Sequence, residues 1–180
     1  MLAIDGLLCF LLGMAIIVED GTGLANANSF VTVAEARAYA TDRGVTLPTA
    51  DADVEKALIK AGDYMFRYEK NLKGSRATTT QRLPYPRYPV SVFGNTILKT
   101  DIPSQLKEAQ IELGIDSSAG VDLRPNGAGR EVIMEKVGPI STQYSETGSG
   151  SDTPTFYKVL DILSPLLKSA SGSFMEVTRG

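Results

Sequence analysis

Residues 51–72, DADVEKALIKAGDYMFRYEKNL, carry the clearest periodicity in the chain. Val54, Leu58, Ala61, Met65, Tyr68 and Leu72 recur at steps of three or four, which puts them on one stripe of an α-helix. Asp51, Asp53 and Glu55 favour the positive end of that helix's dipole, and Gly74 offers a stop. The spacing predicts one helix across the stretch. An amphipathic helix of that kind needs other elements to cover its apolar face.

Such elements flank it on both sides. Thr32-Val33-Ala34-Glu35 has the pattern of a capping box, so a helix is expected to start there and run to Gly44. A third helix should open near Asp101-Ile102-Pro103, with Leu106, Ala109 and Leu113 on one stripe, and end near Gly120. Phe156, Val159, Leu160, Leu163 and Leu167 give one more amphipathic stretch, interrupted by Pro165. Glu131 to Val137 and Ile140 to Tyr144 read as two short strands about a Gly138-Pro139 turn. The expected fold class is therefore mainly α: a small helical bundle with a short β-hairpin at 131–144 and extended loop and C-terminal arms.

The domain reading follows from the breaks. Residues 14–145 form the core, including a loop at 74–100 where Pro84, Pro86 and Pro89 impose extended or turn conformations. Residues 146–180 comprise a Gly/Ser-rich linker at 146–153 and a C-terminal arm. Two readings of the loop and arm stay open. They are either segments that become ordered against neighbours, or a surface connection and an ordinary core helix.

Composition excludes several chemistries. The chain has 180 residues, 43% of them hydrophobic, enough for one core of its own. Histidine is absent and cysteine occurs once, at Cys9, which removes histidine acid–base chemistry, Ser-His and Cys-His nucleophiles and ordinary zinc sites. Residues 2–18 are rich in Leu and Ile but carry Asp5, Gly6 and Gly13 and no basic residue, and they are short for the ~20 residues a bilayer needs. Residues 1–13 are accordingly expected to be an upstream extension before Met14, with a membrane anchor as the competing reading. Asp51, Asp53, Glu55 and Asp63 could in principle hold Mg2+ or form an acid–base pair, but the first three sit where helix-start acids normally sit. Gly21-Thr22-Gly23 lacks the Lys-Ser/Thr of a phosphate loop and reads as a turn. The expectation is no catalytic residue, no metal and no cofactor.

A net charge of −3 gives no global attraction to nucleic acid, so any DNA contact has to be regional. One region qualifies. Residues 67–87 hold Arg67, Lys70, Lys73, Arg76, Arg82 and Arg87 against Glu69 alone, with Tyr68, Tyr85 and Tyr88 interleaved. Cations that neutralise phosphates beside rings that stack on bases suit single-stranded DNA. The other reading is a solvated face paired with acidic residues of a neighbouring subunit.

Several motifs occur together in one order: Val18-Glu19-Asp20-Gly21-Thr22-Gly23-Leu24-Ala25-Asn26-Ala27-Asn28-Ser29-Phe30, Leu72-Lys73-Gly74-Ser75-Arg76, Gln81-Arg82-Leu83-Pro84-Tyr85-Pro86-Arg87, Ile102-Pro103-Ser104-Gln105-Leu106-Lys107-Glu108-Ala109-Gln110, Glu135-Lys136-Val137-Gly138-Pro139-Ile140 and Leu163-Ser164-Pro165-Leu166-Leu167. Together they resemble a tailed-phage family that carries the label DnaT-like single-stranded-DNA-binding protein, with Tyr85 where tryptophan is common. Members of that family look like head-to-tail adaptor (connector) proteins. The resemblance implies a structural virion protein of the neck, a homo-oligomeric ring of about twelve copies beneath the portal. It further implies docking on the portal through Phe156, Tyr157, Leu160, Leu163, Leu166, Leu167 and Phe174, contact with a tail or tail-terminator (stopper) protein, and non-specific contact with packaged DNA. The expected location is the virion head–tail interface, and the host cytoplasm during assembly, with no membrane partner. The alternative is a single-stranded-DNA-binding or replication accessory protein.

Overall fold

The computed structural model describes residues 16–125, 134–137, 140–143 and 155–168. Four helices, α1 (Val33–Asp42), α2 (Asp51–Met65), α3 (Ser104–Ser118) and α4 (Tyr157–Leu163), are joined by short antiparallel strand pairs. These are β1 (Ser75–Arg76) with β2 (Arg87–Tyr88), β3 (Val90–Val92) with β4 (Asn95–Ile97), and β5 (Met134–Val137) with β6 (Ile140–Gln143). The protein is mainly α with short β-hairpins, as the periodicity predicts. Residues 1–13, 146–153 and Phe174 lie outside the described residues, as do 131–133, 138–139 and 144 of the 131–144 hairpin.

Local chemistry explains where the helices start and stop. At α1 the Glu35 amide donates to Thr32 Oγ1 at 3.1 Å, and the Glu35 carboxylate accepts the Thr32 amide at 2.7 Å, completing the capping box. The α2 stripe is buried as predicted, but the α-helix ends at Met65 and Phe66–Asn71 tightens into a 3-10 turn. The tighter turn uses carbonyls that an α-helix end leaves orphaned: the Leu72 amide donates to both Tyr68 and Glu69.

Two glycines let α2 and α3 approach closely. A Cβ on Gly62 would lie 3.0 Å from the Asn28 carbonyl oxygen, and one on Gly114 would lie 2.9 Å from Leu58 Cδ2. Gln110 of α3, with no exposure to water, fixes the junction between them. Its Oε1 accepts the Phe30 amide at 2.7 Å, and its Nε2 donates to Ser29 Oγ at 3.0 Å and to the Leu58 carbonyl at 2.8 Å. The N-terminal segment, α2 and α3 are thereby tied by one side chain.

The same segment carries the Glu19-to-Gly23 turn. The buried Glu19 carboxylate accepts the amides of Gly21, Gly23 and Leu24 at 3.0, 2.8 and 2.9 Å. Gly21 is required there, because its φ is 96° and a Cβ would fall 1.7 Å from the Thr100 carbonyl oxygen.

Of the two readings left open for the loop and the C-terminal stretch, the core helix describes the latter, and part of the loop is packed as well. Leu83, Pro84, Tyr85, Pro86 and Arg87 of the 74–100 loop are buried, and the loop contains four of the strands. The Val90-Ser91-Val92 alternation escaped the sequence reading because flanking prolines mask it, and Phe93-Gly94, both at positive φ, close the β3–β4 hairpin. In the C-terminal segment, Val159, Leu163 and Leu166 belong to the same buried cluster as Tyr64, Leu72 and Leu83, with Phe156, Leu160 and Leu167 packed against it. Leu72 and Leu167 form a β-bridge. Of the six described residues assigned to portal docking, only Tyr157 stands mostly in water. The apolar spacing of this stretch is that of a core helix.

Tyr85 is fully buried, and among the described residues its hydroxyl finds no hydrogen-bond partner. Burial pushes that phenol up to about 12. A buried unsatisfied hydroxyl costs about 1–3 kcal/mol, so Tyr85→Phe should leave stability unchanged or raise it by about 1 kcal/mol in urea unfolding. Gln110→Ala should lower it by about 3 kcal/mol, since the buried Phe30 amide loses its acceptor, Ser29 Oγ and the Leu58 carbonyl lose a donor, and a cavity opens. Equal stability of Gln110→Ala and the parent protein would show that the junction does not depend on this amide.

Candidate nucleic-acid interface

The six cations of residues 67–87 do not act together. Arg76 grips Glu69 through Nε and Nη2 at 2.5 and 2.9 Å and reaches the Gln81 carbonyl with Nη1 at 2.7 Å. Arg87 is buried and donates to three carbonyls, those of Lys73 (2.8 Å), Gly74 (2.7 Å) and Pro84 (3.3 Å). Lys73 donates its ammonium to the carbonyls of Pro165 and Ser91 at 2.8 and 3.3 Å. These three hold the loop and the C-terminal segment in place. Tyr68 and Tyr85 are buried, leaving Tyr88 as the exposed ring of the interleaved set.

Arg67, Lys70 and Arg82 remain on the outside, and the fold adds others. Lys60 and Asp63 lie three residues apart on the outer face of α2, and Arg67 and Lys70 lie three residues apart on one side of the 3-10 turn that follows it. Arg82 faces Asp63 with Nη2 to Oδ1 at 3.6 Å, and Arg124 donates Nη2 to the Asp63 backbone carbonyl at 2.7 Å. Among the described residues Lys60 and Lys70 have no ion-pair partner. Arg67 donates to the Tyr64 hydroxyl at 3.1 Å and to Thr155 Oγ1 at 3.3 Å. The result is a ridge of Lys60, Arg67, Lys70, Arg82 and Arg124 with Asp63 set into it.

Alongside the ridge, Lys60, Asp63, Ser117 and residues 120–124 line a cleft of about 400 Å3. Asp122 at its edge accepts the Arg124 amide at 3.0 Å. Lys60 and Arg124 fall outside the 67–87 window. The first was legible from helical spacing, seven residues before Arg67. Arg124 had no local signal, because the chain returns to α2 only after α3. Among the described residues no group of His, Cys, Asp or Glu could hold a metal ion, and no helix is long and apolar enough to cross a membrane.

Fold and surface together define a small, mainly helical protein with a basic ridge. Residues 14–180 match the family model described as "Putative DnaT-like ssDNA binding protein", and the chain belongs to that family. No curated protein and no solved structure gives a significant match. This family match overturns the connector resemblance. The family is a DnaT-like one and not a phage connector family, so the head-to-tail adaptor role, the neck and virion keywords, the twelve-copy ring and the portal and tail partners are withdrawn. Several of the motifs quoted above instead supply side chains that bond the backbone, as Glu19, Gln81, Arg87 and Gln110 do.

Glu69 sits beneath this framework with a calculable acid response. The hydrogen bond from Arg76 holds its carboxyl below the ordinary 4.5, with the Arg76 and Arg87 charges adding to the effect. A depressed folded-state value means stability that is complete above the ordinary range and lost as pH falls through the lowered one. Glu69→Gln should therefore be less stable than the parent at neutral pH and converge with it in strong acid. Thermal melts across that range check this, and parallel curves would contradict it.

Proposed function

We propose that the protein binds single-stranded DNA, without sequence preference and without catalysis, as a binding or replication accessory protein. The observation that carries this reading is its membership, over residues 14–180, of a family described as DnaT-like and single-stranded-DNA-binding. The ridge supports it independently. Five outward cations on one face can neutralise successive phosphates, whereas the chain as a whole repels them at a net charge of −3.

Binding to a labelled oligo-dT should weaken with salt, with a log–log slope of about −3.5 if all five cations engage, because each single-strand phosphate contact contributes about −0.7. Lys60→Glu, Lys70→Glu and Arg124→Glu should each weaken binding and flatten that slope without shifting the melting temperature. Arg87→Ala should instead lower stability, since it abandons three carbonyls. Oligo-dT affinity that ignores both salt and these reversals would refute the ridge as the interface.

A further inference from the structure

We infer that Tyr157 is a base-stacking platform at the end of this ridge, so that the strand is held by its bases as well as its phosphates. The inference rests on the proposed binding of single-stranded DNA and adds the means by which a single strand is told from a duplex. Tyr157 is 76% exposed, and the backbone that carries it is anchored. It opens α4, and the residues around it are fixed from three directions.

Thr155, two residues earlier, accepts the hydrogen bond from Arg67. Phe156 packs edge-on against Tyr64 with ring centroids 5.4 Å apart at 84°. Lys158 bridges Glu112 and Asp116 at 3.0 and 2.9 Å, which also takes those two carboxylates out of competition with phosphate. Val159 is fully buried. A ring presented from so rigid a base loses little freedom when a ligand covers it.

The neighbourhood supplies the rest. Arg67 lies on the ridge and is bonded to both the Tyr64 hydroxyl and the segment that leads into Tyr157. A phosphate at Arg67 therefore leaves its nucleoside close to an exposed aromatic face. The other exposed rings lack this setting: Tyr88 lies opposite Ser75, beside cations already committed to carbonyls and Glu69, and Phe93 stands at a hairpin tip. Stacking on tyrosine accepts any base but needs that base unpaired, which is a single-strand preference with no sequence code.

The test uses the full chain with labelled oligo-dT, an abasic strand of equal length and a duplex. Tyr157→Ala should weaken oligo-dT binding ~5- to 100-fold and leave abasic-strand binding unchanged, while Tyr157→Phe, which keeps the ring, retains the parent affinity. Because the chain has no tryptophan, Tyr157→Trp adds a unique fluorophore that oligo-dT should quench and the abasic strand should not. Unchanged oligo-dT affinity in Tyr157→Ala, or an equal loss on the abasic strand, overturns the stacking role and leaves DNA binding standing. Failure of the parent protein to bind oligo-dT overturns both.

Discussion

A single buried amide at position 110 ties together the N-terminal segment, α2 and α3, which also share the buried clusters around Phe30 and Leu58. Gln110 supplies an acceptor to Phe30 and donors to Ser29 and Leu58, and the low dielectric around it makes those bonds strong when made and costly when missing. Gly62 and Gly114 belong to the same arrangement, because they bring the backbones near enough for a glutamine to span them. Once α2 is seated against α3, its outer face is fixed, and with it the row Lys60, Asp63, Arg67 and Lys70. The junction thus sets the orientation of the surface on the far side of the helix.

Proline chemistry sets the second constraint. Prolines 84, 86 and 89 cannot donate to a strand ladder, so the buried residues 83–87 depend on side chains for part of their hydrogen bonding. Arg87 and Gln81 supply these bonds: the guanidinium caps Lys73, Gly74 and Pro84, and the Gln81 amide caps Leu83 and Pro86. A cation used in this way is removed from the surface. That division decides which members of a basic stretch remain available to a ligand, and composition alone is blind to it.

What could be read from the residues follows the range of the interactions. The capping box at Thr32, the α2 stripe and the α3 start are local patterns, and each appears where its chemistry puts it. The 3-10 turn after Met65 was not legible, since Tyr68 and Leu72 fit an α-helical stripe equally well. The burial of residues 83–87 was not legible because proline and glycine usually mark surface connections, and Leu83 and Tyr85 join a cluster with sequence-distant residues such as Leu106, Leu163 and Leu166. At the candidate site, Arg67, Lys70 and Arg82 were identifiable from sequence, whereas Arg124 depends on a return of the chain to Asp63 across 61 residues. The connector reading failed for a related reason: shared motifs that satisfy buried backbone report a common framework, and a framework does not specify a partner.

Charge segregation shows how an acidic protein presents a basic face. Glu19 is enclosed by three amides, Glu69 by Arg76, Glu35 by Lys107, and Glu112 and Asp116 by Lys158. Each pairing cancels a carboxylate locally, and salt screens what remains within about 8 Å. A phosphate approaching α2 therefore responds to Lys60, Arg67, Lys70, Arg82 and Arg124 against Asp63, itself engaged by Arg82, and to Asp122 at the cleft's edge. Net charge governs behaviour at long range, but a strand already in contact is held by the groups within a Debye length of it. The acids engaged in this way, Glu19, Glu35, Glu69, Glu112 and Asp116, therefore compete less with a phosphate for the ridge than free carboxylates would.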